Sequence, residues 1–126
     1  MFLNQVRSQS SACQFENNLI FVFGGFNKEH GTLNSIEKCD FNKRTVKMID
    51  LKMTVPLRRL ASIKIAASKM LLIGGIQRAS KDSDQVFCID VLRNEDGSEE
   101  NYSIEHLDKI DKSGCIDMPP IVDSVG

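Results

Sequence analysis

The chain has 126 residues, 16 of them basic and 17 acidic, for a net charge of -1; that length suits one domain able to bury roughly two-thirds of its unfolded surface. Balanced, interspersed charge gives no standing attraction to nucleic acid or to an anionic membrane surface. No apolar run approaches the roughly 20 residues of a membrane helix, and the N-terminus lacks a signal-peptide pattern, so neither nucleic acid nor membrane is expected as a partner and a cytoplasmic setting is expected.

Residues 1–6 form a short N-terminal segment. Ser11, Cys13 and Phe15 then recur at period two, the spacing of a half-buried strand. Leu19 to Phe23 is a short β-branched and aromatic run, a strand buried on both faces, and it ends in Gly24-Gly25. A polar loop over residues 26–33 leads to a third strand from Ile36 that ends at Asp40, a turn at Asn42-Lys43, and a fourth strand carrying Val46, Met48 and Leu51.

The pattern then starts again. Ala61, Ile63, Ile65 and Ala67 alternate, Lys69 to Ile73 ends in Gly74-Gly75, and residues 76–83 make a second polar loop. A strand from Val86 ends at Asp90, an acidic turn-like stretch occupies residues 93–101, and a last strand carries Tyr102, Ile104 and Leu107. Residues 108–126, with Ser113-Gly114 and Met118-Pro119-Pro120, show no long periodic segment and are expected to be an irregular tail.

A shift of 50 residues superposes the two glycine pairs and sets Ile36 on Val86 and Asp40 on Asp90. Past the acidic stretch the register slips by six, placing Val46 on Tyr102, Met48 on Ile104 and Leu51 on Leu107. This internal repeat predicts an all-β chain of two four-stranded antiparallel meanders, residues 7–54 and 55–107. Gly24, Gly25, Gly74 and Gly75 have the structural task of turning the chain where a Cβ would obstruct it. No phosphate-loop pattern surrounds them.

These residues resemble the kelch repeat, a unit of roughly 50 residues that forms one blade of a β-propeller. The resemblance covers about residues 7–107 and rests on the Gly-Gly strands, on Asn34-Ser35-Ile36, on Asp40 and Asp90, and on Met53 and Pro56 followed by Arg58-Arg59. Cys39 and Ile89 stand where the motif has Tyr and Val46 where it has Trp, while Tyr102 restores an aromatic at the last position. Met118-Pro119 is similar to a second blade junction, later than the register predicts. A propeller closes with about four to eight blades, so two blades imply an incomplete one: a segment of a longer product, a chain completed by another protein, or copies that co-assemble as a homo-oligomer. The outward faces are then expected to expose runs such as Leu19 to Phe23.

The resemblance implies that residues 26–33, 76–83 and 54–59 emerge together on one face. It makes Asn27, Lys28, His30, Gln77, Arg78 and Lys81 candidate partner-binding residues, with Arg58 or Arg59 matching an arginine that binds acidic peptide side chains in some members. A guanidinium fork pairs well with carboxylate; the competing use is to pack the stem and satisfy loop carbonyls. Glu95, Asp96, Glu99 and Glu100 are read as a solvated turn on the opposite face.

Catalysis has little to draw on. His30 and His106 lie in different parts of their units and no H-E-x-x-H or G-x-S-x-G pattern occurs. Cys13, Cys39, Cys88 and Cys115 are scattered, without C-x-x-C spacing, which fits buried or incidental thiols and implies no metal site. No cofactor is implied. The nearest enzymatic alternative is a kelch-type oxidase domain, whose radical chemistry needs Tyr, Cys and His ligands, and the single tyrosine of this chain is Tyr102. The leading expectation is a non-catalytic module binding a protein or peptide, an acidic one among the candidates; the alternative is a structural subunit or fragment that completes a larger propeller or assembly through exposed blade faces.

Overall fold

Alternating and β-branched segments become strands throughout a computed structural model that describes residues 2–93 and 100–107. The strands are β1 (Ser11–Glu16), β2 (Leu19–Phe23), β3 (Phe26–Asn27), β4 (Gly31–Thr32), β5 (Ile36–Asp40), β6 (Thr45–Met48), β7 (Ala61–Ala66), β8 (Lys69–Ile73), β9 (Val86–Arg93) and β10 (Glu100–His106). Among the described residues there is no helix, hence none long and apolar enough to cross a membrane. Two four-stranded antiparallel sheets form, in the orders β1-β2-β5-β6 and β10-β9-β8-β7.

The 50-residue shift holds at the level of individual pairs. Ser11 pairs with Phe23 and Ala61 with Ile73, Phe23 with Ile36 and Ile73 with Val86. Even the bulges coincide, one between Gln14 and Glu16 and the other between Lys64 and Ala66. The loop hairpin β3-β4 is additional. Asn27 Oδ1 accepts the His30 N–H at 2.7 Å and Gly31 takes φ of +73° to close it. In the second unit only a bridge between Ile76 and Asp82 remains.

The register after β5 and β9 differs from the expected one. Val46 pairs with Cys39, and the residue pairing with the equivalent Ile89 is Ile104, not Tyr102. The slip is therefore eight residues, because β9 runs through Asp90 to Arg93 and pairs with Glu100 and Asn101, which belong to β10 and not to a turn. Asp40 ends its strand because its Oδ1 accepts the N–H groups of Asn42 and Lys43, at 3.0 and 3.1 Å. Asp90 instead lies within a strand, with Lys69 Nζ 3.5 Å from its Oδ2. Residues 94–99 and 108–126, and with them Glu95, Asp96, Glu99 and the expected tail, lie outside the described residues.

The two sheets stack front to back. Phe15, Phe21 and Phe23 of the first sheet meet Met70, Leu72, Phe87, Ile89 and Val91 of the second, and Ile49, Met53, Leu57 and Leu60 seal the seam. Full burial of a side chain such as Phe21 or Phe87 contributes about 1.5–3 kcal/mol. Tyr102 reaches this core with its ring edge-on to Phe21 at 6.0 Å.

The expected exposure of Leu19 to Phe23 is not found: Leu19, Phe21, Val22 and Phe23 are all buried. One face of β2 is covered by the second sheet. On the other face Glu37, directly opposite Val22, binds the N-terminal segment.

Candidate functional site: the loop face

The chain leaving β6 is drawn back across the first loop, so that residues 49–57 form a strap. Met53 N–H donates to Asn34 O at 2.8 Å and Leu57 N–H to Leu33 O at 3.1 Å, while Leu57 O accepts the Gly25 N–H at 2.9 Å. Arg58 and Ile76 then exchange backbone hydrogen bonds, at 3.0 and 2.8 Å. Segments 26–33, 54–59 and 76–83 therefore meet on one face, and side chains lock them further. The Arg58 guanidinium lies 5.5 Å from the Phe26 ring centroid and donates to Ser80 Oγ at 3.4 Å. Arg78 Nε donates to Thr32 O at 3.3 Å.

The eight candidate residues have distinct placements. Asn27 is structural: besides closing its hairpin, its Nδ2 donates to Val6 O at 2.9 Å. Lys28 and His30 are exposed beside it, and Lys81 is exposed on the neighbouring loop. Gln77 holds that loop through its backbone, donating to Lys81 O and accepting from Ser80 N–H. Arg58 is committed to Phe26 and Ser80, and its buried Nε has no partner among the described residues. Arg59 is turned toward the strand entries, where its Nε donates to Gln9 Oε1 at 2.8 Å and its N–H to Gln9 O at 2.7 Å. Gln9 and Arg59, 50 residues apart, share a positive φ, 56° and 54°.

Two grooves flank these loops. The larger, about 670 Å³, is lined by residues 4–8 and 26–30. The smaller, about 340 Å³, is lined by Gln5, His30, Thr32, Leu33, Asn34, Ser35, Met48, Lys52 and Arg78, a set with two cationic side chains, Lys52 and Arg78, and no carboxylate. Such a surface attracts an acidic ligand.

The N-terminal segment is the part of this face that strand patterns do not reveal. Arg7 and Glu37 form an ion pair with both side chains fully buried. Arg7 also donates to Gly24 O at 2.8 Å and to Ser35 O and Oγ, both at 3.1 Å, while Glu37 accepts the backbone N–H groups of Asn4 and Gln5. A sequence signal did exist. The repeat sets Arg7 on Leu57 and Glu37 on Phe87, so two opposite charges replace two apolar residues together.

At the opposite end, Glu100 is engaged and not part of a solvated turn. Its Oε2 accepts from Lys38 Nζ at 3.2 Å and from the Tyr102 hydroxyl, and Arg93 joins it to Glu16. Burial alone would raise the Glu100 carboxyl, but the hydrogen bonds from Tyr102 and Lys38 and the charges of Lys38 and Arg93 hold it below the usual range. The hydrogen bond from Arg93 likewise lowers Glu16, and burial followed by the bond to Glu100 pushes the Tyr102 hydroxyl up. Burial raises the thiols of Cys13, Cys39 and Cys88, which are free. Two depressed carboxylates bind fewer protons in the folded state than in the unfolded one. The stability they contribute is thus present above about pH 4.3 and lost as pH falls through their folded values. Thermal melts at pH 6 and pH 3.5 should show a smaller acid loss in Glu100→Gln than in the unaltered chain. Equal losses would remove Glu100 from the acid response.

Among the described residues no group of three or more His, Cys, Asp or Glu side chains is placed to hold a metal ion. No protein-family model matches the chain, and neither does any curated protein.

Proposed function

We propose that this chain is a non-catalytic protein-interaction module of kelch type, its two sheets serving as propeller blades and its loop face capturing an acidic peptide in a cytoplasmic setting. The observation that carries the reading is the smaller groove, which His30, Lys52 and Arg78 line with no carboxylate among the lining residues, although Glu29 Oε2 lies 3.9 Å from His30 Nε2. Arg78 is anchored on Thr32 O through Nε, which leaves its terminal nitrogens for a carboxylate fork. The rigid sheets beneath hold the loops in place, so little ordering entropy opposes binding. Equal bulges and equal pairing across the first three strands of each sheet support the repeat reading, and the lack of a nucleophile-base arrangement among the sequence motifs supports binding over catalysis. Arg58 and Arg59 serve this reading as scaffold, since their partners are intramolecular.

Fluorescence anisotropy with a labelled Glu/Asp-rich peptide and its Gln/Asn counterpart tests this. The acidic peptide should bind at least about tenfold tighter, a difference of about 1.4 kcal/mol, and more weakly at high salt. Lys52→Glu with Arg78→Glu should abolish that preference. Equal affinity for the two peptides would reject the assignment. The alternative role as a structural subunit draws on a different surface, the outward side of the second sheet, where Ile63 is 54% exposed.

A further inference from the structure

The strap of residues 49–57 joins the two units by filling the first loop on one side and entering the core of the second sheet on the other. Toward the loop, Met53 N–H donates to Asn34 O, Leu57 N–H donates to Leu33 O, and Leu57 O accepts from Gly25 N–H. Toward the second sheet, Leu57 and Phe87 lie together in the core. The loop of the second unit has the same backbone groups open. Asp84 O, Ser83 O and Gly75 N–H, the equivalents of Asn34 O, Leu33 O and Gly25 N–H, have no partner among the described residues. A Cβ on Gly74 would meet, among those residues, only Ser83 O at 3.6 Å, whereas one on Gly24 would stand 2.8 Å from Met53 Cε.

The matching half stands at the opposite end of the molecule. Residues 3–8 are the equivalents of 53–58 and have the same shape: the chain bends at 4–5 as at 54–55, and Ser8 exchanges backbone hydrogen bonds with Phe26 as Arg58 does with Ile76. The buried Arg7–Glu37 pair fixes this shape, with Glu37 also accepting the Asn4 and Gln5 N–H groups. This second strap crosses no loop. Leu3 N–H, Arg7 N–H and Arg7 O, the equivalents of Met53 N–H, Leu57 N–H and Leu57 O, have no partner among the described residues, and the Leu3 side chain is 39% exposed. The bare loop lacks two donors and one acceptor, and residues 3–7 offer them at the spacing the filled loop uses.

We infer that copies of this chain associate head to tail, residues 3–7 and the outer side of one copy's first sheet seating on the 74–84 loop and the outer side of the next copy's second sheet. Transposed by 50 residues, the contacts of the internal seam find matching groups. Arg59 N–H on Gln9 O becomes Gln9 N–H of one copy on Arg59 O of the other, both without a partner among the described residues. Arg78 Nε on Thr32 O becomes Lys28 against Asp82, opposite charges on two exposed residues. The seam's Phe15, Phe21 and Phe23 become Ile65, Leu71 and Ile73, and Ile63, in the place of the buried Cys13, is 54% exposed. Opposite them, Met70, Leu72 and Ile89 become Ile20, Val22 and Cys39, so both surfaces stay apolar. Phe87 becomes Glu37, whose charge Arg7 already neutralises. One chain cannot join its own two ends, because Glu37 holds residues 4–7 on the side of the first sheet that faces away from the second. A contact between two different surfaces repeats from copy to copy into a ring or a filament. The inference rests on the internal seam and not on peptide capture, which uses the smaller groove.

Sedimentation velocity of the full chain, without peptide, tests this from micromolar to millimolar concentration. The mass should rise above that of one copy. Amide exchange at Gly75 should slow over the same range, while Gly25, already bonded to Leu57 O, stays unchanged. Ile63→Lys puts a charge where the side chain is exposed in a single copy and covered in the assembly, and should weaken association at least about a hundredfold. Lys28→Glu and Asp82→Lys should each weaken it about five- to tenfold, and the two changes in one chain should restore it. A chain that remains a single copy at millimolar concentration overturns the inference. Association that Ile63→Lys leaves intact, or that the double charge exchange does not restore, overturns it by placing the contact elsewhere. Protection of Gly75 that is independent of concentration also overturns it, assigning the loop to a segment of the same chain.

Discussion

Arg7→Ala is expected to destabilise the chain by about 3–5 kcal/mol, measured by urea unfolding, because it leaves the Glu37 carboxylate buried without its counter-charge. Glu37→Ala should cost a similar amount by stranding the guanidinium and the Asn4 and Gln5 N–H groups. The second unit shows how the same architecture manages without charge. Its equivalents, Leu57 and Phe87, are both buried in the main core. Arg7→Leu combined with Glu37→Phe should therefore cost less than either single loss, since desolvating two charges opposes their attraction and an apolar pair carries no such penalty. Full recovery is not expected, because Gly24 O and Ser35 O also lose the Arg7 donor. A double-mutant cycle should give a coupling of at least about 2 kcal/mol. Additive losses would show that the two side chains act separately and that the repeat equivalence has no energetic meaning.

The strands were legible because their causes are local. Alternation at Ser11, Cys13 and Phe15, and β-branched runs closed by glycine at Leu19 and Lys69, specify period and ends without reference to distant residues. The β9–β10 register was not legible, since alternation survives a shift of two residues and either slip keeps apolar side chains on one face. What decides between them is that β9 continues past Asp90, where Asp40 in the first unit caps a tight turn. Composition around the two aspartates does not announce this difference. The β3-β4 hairpin was hidden for a similar reason: two-residue strands are too short to show a period, and the Asn27 cap and Gly31 turn are the only traces.

The loop face was half legible. The grouping of Lys28, His30, Arg58, Arg78 and Lys81 was an implication of the resemblance, which did not say which charges are spent internally. Arg58 and Arg59 look equivalent as letters, yet one lies over Phe26 and the other is held by Gln9. Lys52 lines the smaller groove from the strap and carries no motif signal. Residues 4–7 escaped strand patterns entirely because they act through backbone N–H groups and one buried charge. Comparison of the two units, charge against apolar side chain, is the signal that does reach them.

Glycine at position 24 is held by more than its backbone conformation, and two alanine substitutions separate the contributions. Gly24 and Gly31 both have positive φ, +58° and +73°, so both substitutions incur the left-handed penalty of roughly 1–2 kcal/mol. At Gly31 nothing among the described residues lies within 4 Å of the added methyl, and Gly31→Ala should cost only that penalty. At Gly24 the methyl would stand 2.3 Å from Leu57 O, a backbone atom, and 2.8 Å from Met53 Cε. Relief requires lifting the strap, which breaks the bonds to Leu33 O and Gly25 N–H and uncovers Met53 and Leu57. Gly24→Ala should thus cost about 2 kcal/mol more than Gly31→Ala in urea unfolding, with faster amide exchange at Gly25 and Leu57. Since Leu57 leads directly into Arg58 and its backbone pairing with Ile76, the loosened strap should also weaken the proposed capture of an acidic peptide. Equal costs for the two substitutions would mean that the strap yields freely and does not hold the loop face in place.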